Sequence, residues 1–134
     1  MVQAGRVAAW RRPRPPIHRD FLYGSFSVKH FFEISELLKQ KSESLKLYLE
    51  FLRVPAMSAG LYALPAGAVD PQHPHHEDEL YYVVSGRARM QVGKEDQAVA
   101  AGTVIFVEAN LEHRFYDILE ELVVLVFFAP AESG

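Results

Sequence analysis

From Phe31 onward the spacing of apolar residues changes period once. Ile34, Leu37 and Leu38, with Lys41, fall at helical spacing, which predicts a short amphipathic helix over Ser35–Gln40. The period then drops to two. Leu45, Leu47, Leu49 and Phe51 alternate with Lys46, Tyr48, Glu50 and Leu52, so Leu45–Leu52 reads as a strand. Met57–Leu64 reads as a second, ended by Pro65-Ala66-Gly67. Leu80–Val84 follows, then a turn at Ser85-Gly86, then Arg87–Val92 with Ala88, Met90 and Val92 on one face. Gly93-Lys94-Glu95-Asp96 makes a hairpin, Ala98–Ala100 is short, and Val104–Val107 is apolar on both faces. His113–Tyr116 and Leu122–Phe128 complete the set, joined by Asp117–Glu121. One short helix followed by about eight or nine closely spaced strands predicts an all-β chain of antiparallel sheets, in a sandwich, barrel or jelly roll.

Composition adjusts this picture in two places. Half of the 134 residues are apolar, 49%, enough for one real core, and there is no cysteine, which excludes disulfides, thiolate zinc sites and a cysteine nucleophile. A cysteine-free chain suits the reducing cytoplasm. No apolar run reaches membrane-spanning length. The second adjustment is charge. Residues 1–27 carry five arginines against Asp20, which leaves nine basic and sixteen acidic residues, about −7, in residues 28–134. So acidic a body is expected to bind neither nucleic acid nor an anionic membrane. Arg11–Pro16 (RRPRPP) forbids helix and central strand, and residues 1–27 are expected to be a disordered Arg/Pro-rich extension, with Val28 a candidate true start.

Candidate chemistry concentrates between Gly67 and Gly86. His73, His75 and Glu79 differ by even numbers, so on an extended strand they share a face and present two imidazoles and a carboxylate to a divalent metal. His113 recurs in a later strand and makes a three-histidine, one-glutamate set. Their spacing resembles the cupin superfamily. Its first motif, G-x5-H-x-H-x3-E-x6-G, is met at Gly67, His73, His75, Glu79 and Gly86. Its second, G-x5-P-x-G-x2-H-x3-N, is met at Gly102 and His113, with Glu108, Asn110 and Asp117 replacing its proline, glycine and asparagine. Asn110 tolerates left-handed φ and can keep the turn.

The resemblance implies a double-stranded β-helix (a jelly-roll cupin barrel) with one short N-terminal helix, in a single domain over residues 28–134. It implies one divalent metal ion, iron, manganese, zinc or nickel, on His73, His75, Glu79 and His113. His76 breaks their parity and reads as a surface or outer residue, and Glu77 as a loop carboxylate. Tyr81, Val83, Met90, Phe106 and Phe115 are barrel core or cavity lining, and Tyr62 is a candidate hydroxyl. The apolar face of Leu80, Tyr82 and Val84 implies a buried second surface, and cupins commonly form homodimers. Three functions follow for a small-molecule ligand or substrate: a metal-dependent dioxygenase, placed first; a redox-neutral isomerase, epimerase or lyase; and a non-catalytic binding module. Arg87 and Arg89 lie opposite Met90, which disfavours a phosphorylated substrate.

Overall fold

The structure is a computed structural model that describes residues 28–133, in which Phe32 and the residues after it form one compact unit. The expectations for residues 1–27 fall outside the described residues. In chain order the elements are α1 (Ile34–Ser42), β1 (Tyr48–Val54), β2 (Met57–Leu64), β3 (Asp78–Val92), β4 (Glu95–Ala100), β5 (Val104–Val107) and β6 (His113–Ala129). Hydrogen-bonded neighbours run β1-β2-β6-β3-β4, with β5 also on β3, and every pairing is antiparallel. The chain is an all-β jelly roll with one short helix.

Among the described residues there are six strands, because two predicted breaks are bends within long strands. At Ser85-Gly86 the chain does not reverse: Ser85 still pairs with Val123 and Arg87 with Glu120, while Gly86 takes φ 94° in a bulge. The predicted Asp117–Glu121 connection likewise lies inside β6. Asp117 adopts φ 46°, and the register jumps from Arg87↔Glu120 to Arg89↔Tyr116. These slips curl the β3/β6 ribbon, which is how two strands serve both halves of a barrel. β1 starts at Tyr48 rather than Leu45, since the ladder with β2 begins at Tyr48↔Tyr62 and Leu45 stands fully in solvent.

Two apolar layers result. Inside the barrel, Tyr62, Leu64, Tyr81, Val83, Met90 and Phe115 form the main core. Outside it, α1 lays Leu37 on Leu61 and Val123, with Phe32, Phe51 and Val84 around them. Burying Leu37 there contributes about 2 kcal/mol. The helix explains why β2 is apolar on both faces and why Val84 needs no further cover. Phe106 departs from the cavity-lining expectation: it is paired with Leu80 on the outer face and 60% exposed, since period-two parity puts Ile105 and Val107 inward.

Candidate metal centre

β3 and β6 each deliver one buried polar side chain to the same end of the barrel. Glu79 sits on β3 with the parity of Tyr81 and Val83, and its side chain is 1% exposed. His113 opens β6, with its side chain fully buried. His113 Nδ1 donates to the Leu111 carbonyl at 2.9 Å, so in the neutral ring Nε2 keeps its lone pair. That nitrogen lies 3.1 Å from Glu79 Oε2, but the two are not aligned as a hydrogen bond, and neither Glu79 oxygen has any hydrogen-bond donor. Two acceptors face each other at this distance only across a proton or a metal ion. Burial works against charge on His113, yet the Glu79 carboxylate and the Leu111 carbonyl outweigh it and raise the imidazole pKa.

His75 is the third member. It precedes β3, and its Nε2 lies 4.0 Å from Glu79 Oε2, with its ring 5.5 Å from that of His113. Its Nδ1 faces Glu132 Oε1 at 3.5 Å, and its Nε2 also lies 3.4 Å from Gln72 Oε1. Burial raises the Glu132 carboxyl pKa, with His75 opposing. Together His75, Glu79 and His113 offer donor atoms within 4.8 Å of one another. Donors on one ion about 2.0–2.2 Å away lie within about 4.4 Å of each other, so the spacing suits a metal. Orphaned carboxylate oxygens fit the same group, because a buried carboxylate without donors is costly unless a cation meets it.

Of the four residues expected from the motif spacing, three are brought together. His73 lies outside the cluster; it is exposed and lines the neighbouring cavity. The parity argument applies on β3, but residues 71–75 belong to no strand. There the direction of each side chain is set by individual bonds. Asp70 accepts from Tyr62 Oη (2.7 Å) on β2, from the Phe115 amide (2.9 Å) on β6, and from the Gln72 amide (3.1 Å) and Nε2 (2.9 Å). Gln72 Oε1 in turn accepts from Tyr81 Oη at 2.7 Å. Burial and the Asp70 hydrogen bond push the Tyr62 hydroxyl pKa up, and burial does the same for Tyr81. Both phenols therefore stay neutral donors.

The remaining expectations divide. His76 points to Asn110 (Nδ1 to Oδ1, 3.2 Å) in the exposed periphery, as its parity suggested. Asn110 has φ 64° and donates its amide to the His75 carbonyl, tying the two motifs together. Glu77 is not a free loop carboxylate: it is buried and accepts the Ser133 amide at 2.8 Å, and this bond, against the cost of burial, lowers its pKa. Sequence reading missed Asp70, Gln72, Tyr48 and Glu132. Only the extra carboxamide and carboxylate beside the histidines could have drawn attention to the first two. Glu132 arrives from the far end of the chain, held by its amide on Ser58 Oγ (2.9 Å) and by Arg53 on its carbonyl (2.9 Å).

A cavity of about 1000 Å³ adjoins the cluster, lined by Tyr48, Glu50, Tyr62, His73, His75 and Glu132 among others. A second, of about 870 Å³, includes Arg87, Arg89 and Arg114 but none of the cluster, and Arg87 and Arg89 are paired there with Glu120 and Asp96. The aromatic rings of Phe128 (4.9 Å from His75) and Tyr81 (6.1 Å from His113) wall the cluster itself. Among the described residues no helix is long and apolar enough to cross a membrane.

Comparison with known proteins agrees with this architecture. Residues 60–128 match the family model described as a cupin domain. An uncharacterized protein of Streptomyces coelicolor is 50% identical over 102 residues, 76% of this chain and 97% of the relative. A crystal structure of a Thermus thermophilus protein is similar at TM-score 0.64 and 25% identity, covering 75% of this chain and 97% of that one. An RmlC-like cupin with a double-stranded β-helix fold from Methanocaldococcus jannaschii superposes at TM-score 0.57 and 16% identity, over 62% and 78% of the two chains. With strands, motifs and family match in agreement, this chain belongs to the cupin family.

Proposed function

We propose that the protein is a small metalloenzyme of the dioxygenase type, with one divalent ion held by His75, Glu79 and His113. The observation that carries this reading is the convergence of two imidazoles on a buried carboxylate whose oxygens have no hydrogen-bond partner. Two histidines and one carboxylate leave coordination positions open, a set that suits iron(II). The ion would supply a centre at which a small molecule and dioxygen meet. The chain supplies the rest. Leu111 and Glu132 hold the rings, Phe128 and Tyr81 exclude water, and the adjoining cavity admits the molecule past Tyr48, Tyr62 and His73. We read the protein as cytoplasmic.

One observation favours a redox-neutral reading. Glu50, Glu132 and Tyr48 line the cavity, which provides acid–base groups for an isomerase or lyase step. The test is metal analysis of untagged protein purified without chelator, followed by nitric oxide on the anaerobic iron(II) form. Near-stoichiometric iron and a high-spin iron–nitrosyl EPR signal are expected. Zinc or manganese with no nitrosyl signal turns the reading to redox-neutral chemistry, and absence of any metal points to a binding module.

A homodimer is part of the same proposal. Leu80 pairs with Phe106 and Tyr82 with Val104 on the outer face, all at least 40% exposed. Such cross-strand apolar pairs are costly to leave in water. Light scattering should give twice the chain mass, and Phe106→Glu should give a folded monomer. A monomeric wild type at micromolar concentration would sink it.

A further inference from the structure

We propose that the Tyr48 hydroxyl donates a hydrogen bond to a small anionic oxygen ligand, a carboxylate, enolate or hydroxamate oxygen, that the ion takes up on its open side; this rests on the metal-binding reading above. Among the described residues, four buried side-chain atoms have no hydrogen-bond partner. Three are Glu79 Oε1, Glu79 Oε2 and His113 Nε2 of the cluster, and the fourth is Tyr48 Oη. A phenol withdrawn from water without an acceptor is costly, so the group calls for a partner from outside the fold. Its neighbours say where that partner sits. Tyr48 and His75 line the same cavity, and Phe128 packs against both rings, 6.5 Å from the first and 4.9 Å from the second. The other phenol of the cavity, Tyr62, is already committed to Asp70 at 2.7 Å.

The fold makes room for this hydroxyl at one glycine. Tyr48 pairs with Tyr62 across β1 and β2, so its side chain turns to the barrel interior, on the face that Tyr62 and Gly60 share. Gly60 lies within the regular β2/β6 ladder, opposite Val126, and its φ is outside the left-handed range, so conformation does not demand glycine there. Space does. A Cβ on Gly60 would collide with Cζ and Oη of Tyr48. Glycine inside a strand otherwise weakens it, and here it lets the end of the phenol ring close on the backbone. Burial pushes the hydroxyl pKa up and the charges of Glu132, Glu50 and Glu79 add to it, so the group stays a neutral donor. The ion can then meet the negative charge of the ligand while Tyr48 meets a lone pair. Glu50 and Glu132 on the same cavity wall favour a singly charged ligand over a polyanion.

The experiment uses the full chain loaded with manganese(II), with acetohydroxamate as the probe ligand titrated by calorimetry. Tyr48→Phe removes only the hydroxyl. It is expected to keep manganese affinity within about threefold of wild type and to bind acetohydroxamate about ten- to a hundredfold more weakly, the range for a lost hydrogen bond to a charged oxygen. In chelator it should melt no lower than wild type, because the oxygen removed has no partner in the fold. Gly60→Ala keeps the hydroxyl but displaces the ring, and should weaken acetohydroxamate as well. Equal acetohydroxamate affinity in wild type and Tyr48→Phe, or a wild type that takes manganese and no acetohydroxamate, overturns the proposal and leaves the metal site standing. A Tyr48→Phe protein that melts lower or fails to fold also overturns it, since the hydroxyl would then serve the fold. Wild type that binds no manganese overturns the metal reading and this proposal together.

Discussion

Glu79→Gln protein is expected to lose all metal-dependent stabilisation and yet, in chelator at alkaline pH, to melt above the wild type. In the wild type a binding metal at a thousand times its dissociation constant adds about 4 kcal/mol to folding. The neutral carboxamide would remove the charge that makes Nε2 of His75 and His113 useful, so the melting temperature should no longer respond to metal. The opposite sign without metal follows from the same geometry. Glu79 is a buried carboxylate whose oxygens have no donor and whose neighbour 3.1 Å away is a lone pair. A carboxamide of the same shape can turn its NH2 to that lone pair, replacing two opposed acceptors by a hydrogen bond worth about 1–3 kcal/mol once the orphan cost is counted. Differential scanning fluorimetry with and without manganese checks both halves. A variant that is less stable than wild type in chelator, or still stabilised by metal, contradicts the account of Glu79 as an ion-awaiting residue.

Gly86→Ala should be strongly destabilising. A Cβ on Gly86 would stand 2.2 Å from the Glu121 carbonyl oxygen and 2.8 Å from Leu122 Cα, both backbone atoms. β6 cannot retreat, because Leu122 is buried in the barrel core and Val123 under α1. The residue also sits at φ 94°, which itself costs a non-glycine residue about 1–2 kcal/mol. With the clash added, a loss of more than about 3 kcal/mol is expected, a large part of the roughly 5–15 kcal/mol that such domains possess. Gly67→Ala is the control. Its φ is 76° but nothing lies within 4 Å of the new methyl, so only the backbone penalty of about 1–2 kcal/mol should appear. Urea midpoints of the two variants test the contrast; equal losses would mean that the β3/β6 bulge is not the pinch point.

The two glycines and Glu79 also mark what could be read in advance. Strand periodicity located β2 to the residue, and it gave β3 the inward face of Glu79, Tyr81 and Val83, because in a ladder side chains alternate whatever the partner is. Motif spacing paired the distant His113 with that face. What it left open was continuity: Gly86 and Asp117 look like turns locally, and only the pairing of both flanks with the same neighbour makes them bulges.

Local periodicity and residue type thus sufficed for the class of fold and the inward face of β3, and motif spacing named four candidate ligands, of which three have donor atoms that converge. Tertiary contacts were needed for the rest: where α1 covers the barrel, which outer residues stay bare, and which way the 70–75 segment turns. That segment has no ladder to impose a period. Its side chains are aimed by Asp70 bonds to Tyr62 and Phe115, 8 and 45 residues away, and by Glu132 reaching His75 from beyond β6. Partners so far apart in the chain meet only once the sheet has formed, which is why the direction of His73 could not be read before it.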